Sequence, residues 1–98
     1  MADNDTAMLE QMGSALVNLQ VKFKRSSLDD RALLRPSLTE AMQDFAAYQT
    51  RLLKEGVVST EADLSDMRDI RAAIDAAADK QSMLLAIGRV IGFVGMRI

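Results

Sequence analysis

Ninety-eight residues with a formal charge of −2, no cysteine and no histidine bound what this chain can be. The length suits one domain with a modest core. Without thiols or imidazoles there are no disulfides, no Cys–His or Ser–His–Asp catalysis and none of the usual zinc or haem ligand sets, and the near-neutral balance lacks the basicity of a dedicated nucleic-acid binder.

Apolar residues make up 49 % of the chain, yet only 4 % are aromatic and there is one proline. Alanine, leucine and methionine dominate, a helix-forming composition that predicts an all-α fold. The expected architecture over residues 1–98 is a single domain, an antiparallel hairpin or bundle of three to four helices with a long C-terminal helix. The acidic, polar start is unlike a secretory signal, so a cytoplasmic protein is expected.

Helix 1 is predicted over residues 7–24. Asn4, Asp5 and Thr6 are successive candidate caps. Leu9, Met12, Leu16, Leu19 and Phe23 step by 3, 4, 3 and 4, a heptad-like seam that Met8 and Ala15 widen. The charge then changes sign. Lys22, Lys24, Arg25, Arg31 and Arg35 stand against Asp29 and Asp30. Ser26 and Ser27 should break helix 1, leaving a loop over residues 25–36 with one short helical turn carrying Leu33 and Leu34, closed by Pro36. The five bases are candidate phosphate contacts, and they give a nucleic-acid-binding regulator as an alternative function. The plainer reading is a solvated loop whose Lys22, Lys24 and Arg25 complement the C-terminal dipole of helix 1.

Ser37 and Glu40 form a capping box that starts helix 2, residues 38–55. Leu38, Ala41, Phe45, Tyr48 and Leu52 again step by 3, 4, 3 and 4, with Met42 and Leu53 alongside, and Gly56 follows as a C′ residue. Tyr48 reads as a core-edge residue rather than a catalytic one. The connection over residues 57–60 is short, which predicts that helices 2 and 3 are antiparallel neighbours. Ser59 or Thr60 caps helix 3, and Leu64, Met67, Ile70, Ile74, Ala77 and Ala78 form its buried side. Arg71 and Asp75 are placed as an i, i+4 pair on its outside. Asp63, Asp66 and Asp69 drift over about 120° and about 9 Å of one helix, too far to converge on one cation, and read as a solvated acidic face. Glu40 and Asp44 would need help from another helix to hold an ion. No catalytic, cofactor-binding or metal-binding residue is assigned, and an enzyme is not expected.

Residues 83–98 carry no acid and three of the five glycines. Ile87, Val90, Ile91, Val94 and Ile98 fall at the spacing of one helical stripe, and Gly88, Gly92 and Gly95 lie within about 60° of one another beside it. Each glycine costs about 0.8–1 kcal/mol relative to alanine inside a helix, which close approach of another helix offsets in small-xxx-small pairs. The run is too short, with Arg89 in its middle, to span a bilayer. A peripheral membrane anchor with Arg89 and Arg97 toward lipid phosphates is a further alternative.

Helix 3, residues 61–98, either runs unbroken for about 57 Å or bends near residues 80–82 with Ser82 as a cap. The weak turn chemistry there favours a projecting tail that pairs between subunits. The predicted function is therefore a non-enzymatic interaction or assembly subunit that self-associates or docks on a protein partner. Its predicted interface is Ile87, Gly88, Val90, Ile91, Gly92, Phe93, Val94, Gly95 and Ile98, with Phe93 as an anchor.

Overall fold

A computed structural model describes residues 4–55 and 59–97. Four helices and no strand occur among them: α1 (Asn4–Arg25), α2 (Leu28–Glu55), α3 (Glu61–Ala76) and α4 (Lys80–Gly95).

α1 starts three residues before its predicted first turn because Asn4 and Asp5 are used across the fold rather than as local caps. The Asn4 amide donates to the Ser59 carbonyl at 3.2 Å, and the Ser59 N–H donates to the buried Asp5 carboxylate at 2.8 Å. The centre of its buried stripe is Met8, Met12, Ala15 and Leu19. Leu9, Leu16 and Phe23 flank it, half-buried. The predicted seam is thus rotated toward Met8 and Ala15, since α1 has to cover α3 more than α2.

The predicted loop over residues 25–36 is instead the first two turns of α2. The Asp30 amide donates to the Ser27 hydroxyl at 3.2 Å and the Arg31 amide to the Ser27 carbonyl at 2.9 Å, so Ser27 opens the helix, with Asp29 and Asp30 at its positive end. Pro36 lies inside this helix, and the Ser37–Glu40 box does not start it. An interior proline removes one hydrogen bond and costs about 3 kcal/mol. Two features offset that. Ala32 and Pro36 face solvent, so the carbonyl without an amide donor can bond water. Continuity also brings Leu34 into phase with Leu38, Ala41, Phe45, Tyr48 and Leu52, all six being buried.

Thr60 caps α3 through a reciprocal box: its hydroxyl accepts from the Asp63 amide, and the Asp63 carboxylate accepts from the Thr60 amide, both at 3.1 Å. Leu64, Met67, Ile70, Ile74 and Ala77 are buried as predicted from their spacing, whereas Ala78 is exposed. Arg71 and Asp75 do not pair with each other. Arg71 donates to Gln11 at 3.2 Å and Asp75 accepts from Asn18 at 2.8 Å, so both tie α3 to α1. Gly56, predicted as the C′ residue of helix 2, lies outside the described residues, as do Val57, Val58 and Ile98.

The predicted long C-terminal helix is two helices. Ala77 turns to an extended conformation (φ −65°, ψ 121°) and Asp79 caps α4, accepting from the Ser82 amide at 2.8 Å. Ser82 is therefore a donor to the cap and not the cap. That amide also holds the Asp79 carboxyl below its usual range.

Packing follows from these ends. α1 lies mainly on α3 and α2 mainly on α4, with lesser contacts between α3 and α4 and between α1 and α2. Cross-links at Asn4–Ser59, Gln11–Arg71 and Asn18–Asp75 show α1 and α3 running in the same direction. The predicted adjacency of helices 2 and 3 does not occur. No Cα of α2 comes within 8 Å of one in α3 among the described residues, because α3 takes its place beside α1. One hydrophobic cluster joins buried residues from all four helices.

If α2 carries Pro36 against its own helicity, relieving it should help. Pro36→Ala is expected to raise stability by about 1–3 kcal/mol, read as a higher urea midpoint with an unchanged slope.

Candidate functional site

α4 divides into two sides. Inward, Ile87, Val90 and Val94 are fully buried, and Phe93 stacks on Tyr48 with ring centroids 6.0 Å apart. Ile91 is half-buried against the same cluster. These members of the predicted interface serve the chain's own core, so the projecting tail is overturned: the apolar stripe is covered by α2 and α3. Ile98 lies outside the described residues.

Outward, the picture is different. Gly88, Gly92 and Gly95 are exposed, and a Cβ built on any of them meets nothing within 4 Å. No part of the described chain packs closely on the glycine strip. Two large apolar side chains bracket the strip, Leu85 at 68 % exposure and Met96 at 86 %, with Leu84 beside them.

Along the α3 side runs a shallow trough. One part, about 400 Å³, is lined by Ala73, Ala76, Leu85, Ala86 and Arg89. The next, about 290 Å³, is lined by Ile70, Arg89, Gly92, Phe93 and Met96. Arg89 borders both, so the two join. Sequence reasoning missed Leu85, Met96 and the α3 alanines. The signal was present, because Leu85, Gly88, Gly92 and Met96 step by 3, 4 and 4, a second stripe behind the β-branched one.

The far end of α4 is latched. Arg97 donates to the Asp63 carboxylate at 2.6 and 3.1 Å and to the Phe93 carbonyl at 2.8 Å, and its guanidinium lies 3.7 Å from the centroid of the Phe93 ring. Asp66 adds a second carboxylate at 3.5 Å, and Arg51 donates to the Arg97 carbonyl. Arg97 is thus occupied within the fold. Two of the three acids predicted as a solvated face have a structural partner in Arg97, and Asp69 has none among the described residues. Burial pushes the Asp63 carboxyl up, but the bonds from Arg97 and Thr60 outweigh it and hold the group below its usual 3.8.

Of the five predicted phosphate contacts, the structure brings Lys22 and Arg25 to one cleft and places the others elsewhere. The Lys22 ammonium donates to the carbonyls of Asp75 at 2.7 Å and Ala77 at 2.6 Å, where it meets the negative end of α3. It therefore does not serve helix 1, as its position in sequence suggested. Arg35 lies over the Phe23 ring at 5.8 Å, and the Arg31 Nε is buried without a hydrogen-bond partner among the described residues. Lys24 and Arg25 are exposed. Arg25 shares a polar cleft of about 400 Å³ with Lys22, Ser26, Ser27, Asp30, Asp79 and Lys80, where two carboxylates stand among the three cations.

Among the described residues, no three acidic side chains cluster closely enough to hold a metal ion, and no helix is long and apolar enough to cross a membrane. Compared with known proteins, the chain matches no family model, no curated protein and no solved structure.

Two measurements follow from the latch and the α3 terminus. The depressed Asp63 carboxyl contributes stability that is fully present above about pH 5 and is lost as the pH falls through its lowered folded value. Asp63→Asn should therefore destabilise the protein at neutral pH, and the gap between variant and parent should close in acid unfolding titrations. Lys22→Met keeps the stem and removes both bonds to the carbonyls. It should cost about 1–2 kcal/mol in urea unfolding, and hydrogen exchange should quicken at the amides of residues 74–82.

Proposed function

We propose that the protein is a non-enzymatic helical interaction or assembly subunit, built as a four-helix bundle, whose docking surface is the outer side of α4 with the adjoining edge of α3. One observation carries this reading: Leu85 and Met96 stand 68 % and 86 % exposed on either side of glycines with open space above them. Those glycines cost about 0.8–1 kcal/mol each relative to alanine, and no close approach within the described chain offsets it. A helix laid along the strip could reach the α4 backbone and cover the two bracketing side chains at once. This surface differs from the one expected from sequence, since the Ile/Val stripe belongs to the core and the glycine strip remains.

The reading is preferred to phosphate recognition by residues 22–35 because Lys22 is bonded to the end of α3 and Arg35 lies on Phe23. Catalysis has little support in a chain that lacks histidine and cysteine.

A photo-crosslinking amino acid placed at Leu85, compared with one at Leu33, tests this in living cells. Leu33 is also a leucine and is 57 % exposed, but it lies on α2. Discrete adducts from position 85 and none from position 33 are expected, whatever the partner. Equal labelling at both positions, or no adduct at 85, removes the reading.

A further inference from the structure

The charges around the α4 face say what covers it. Arg89 and Asp69 are both exposed, and neither has an ion-pair or hydrogen-bond partner among the described residues. They lie on opposite rims of the α3–α4 trough. Arg89 borders it on α4, and Asp69 sits one turn from Asp66 and Ala73, which border it on α3.

We propose that the partner on this face is a second copy of the same chain, with the two α4 helices antiparallel about a two-fold axis level with Val90. The proposal rests on the reading of the α4 face as a docking surface and names its occupant. Reversal through residue 90 exchanges 88 with 92, 85 with 95, and 84 with 96. All six positions are exposed, so the face is matched to its own reverse. Leu85 and Met96 both edge the α3 side of the face, so Leu85 of one copy lies against Met96 of the other, Leu84 lies over Gly95, and Gly88 meets Gly92 where the backbones come closest. A parallel pair would set Leu85 on Leu85 and glycine on glycine, leaving a gap at one level and a clash at the next.

The same operation decides the charges. A two-fold axis that reverses α4 keeps the two α3 helices on one side of the pair. Ile70 shares a cleft with Arg89 and Phe93, so Asp69 lies close to the level of residue 92 and, in the second copy, close to that of residue 88. Each Arg89 therefore comes within about a turn of the other copy's Asp69, and the contact occurs twice. An isologous contact of this kind closes at two chains.

The sixteen residues of α4 offer a strip only about 24 Å long and 10 Å wide. That falls short of the roughly 800 Å² per partner typical of stable complexes. The pair is a weak dimer even with the α3 edge added, and its tests belong at high micromolar concentration.

Charge reversal tests the geometry. Full-length Arg89→Asp and Asp69→Arg should each sediment as monomers at concentrations where the parent dimerises. Mixed one to one, they restore opposite charges at both contacts, so a heterodimer should form where neither variant dimerises alone. Both changes are on exposed side chains, and circular dichroism checks the fold.

The chain has no cysteine, so Leu85→Cys and Met96→Cys report on direction. Oxidised together they should give the mixed disulfide dimer in several-fold excess over either homodimer. Homodimers in excess, or a parental dimer unaffected by both charge variants, would overturn the antiparallel pairing. A parent monomeric throughout would overturn self-association. Adducts of foreign mass at position 85 would in that case leave the docking reading standing, and their absence would remove both.

Discussion

The break between α3 and α4 governs everything that follows it. Residues 61–98 contain no strong helix-stopping residue before Gly88, and as one helix they would extend about 57 Å in a molecule whose longest dimension is 43 Å. The chain turns because Ala77 leaves helical backbone space and Asp79 starts a new first turn. The carbonyls left free at that corner are met by the Lys22 ammonium, which suits the negative end of a helix. Only with that corner in place can Ile87, Val90 and Val94 reach the core and Phe93 stack on Tyr48.

That explains which features were legible in the sequence. Periodicity reports a side chain's own helix, so Leu38, Phe45, Tyr48 and Leu52, or Leu64, Met67, Ile70 and Ile74, could be placed in the core from spacing alone. The Thr60 cap was legible for the same reason, since its partner Asp63 is three residues away. What periodicity cannot report is a partner far along the chain. Lys22 looked like a terminus of its own helix, Asn4 and Asp5 like local caps, and Arg71 like a mate for Asp75. Each reaches an element more than fifty residues away instead. Pro36 misled in the opposite sense, because a local penalty was outweighed by the burial of Leu34 and the opening bonds at Ser27. The candidate site was half legible. α4 carries two stripes on nearly opposite sides, and the β-branched one masked the one bearing Leu85 and Met96.

The functional reading turns on this division of α4. Val and Ile fill the side that meets α2 and α3, where bulk is needed. Glycine lies on the side that meets nothing among the described residues, where bulk would clash with none of them. Alanine there would make a better helix. The proposal gives that choice a physical reason, since a bare backbone strip matters only to something laid on it.

The pairing of α1 with α3 has a consequence for how the chain folds. The bonds joining these helices link residues 53 to 60 positions apart, so the two cannot zip together as they are made. α1 must wait on the ribosome until α2 and the start of α3 have emerged. Its Met8, Met12 and Leu19 are left uncovered meanwhile, a window in which a nascent chain invites chaperones or aggregates. Chain closure over such separations raises contact order above that of a bundle made of sequence neighbours, and the folding rate falls accordingly.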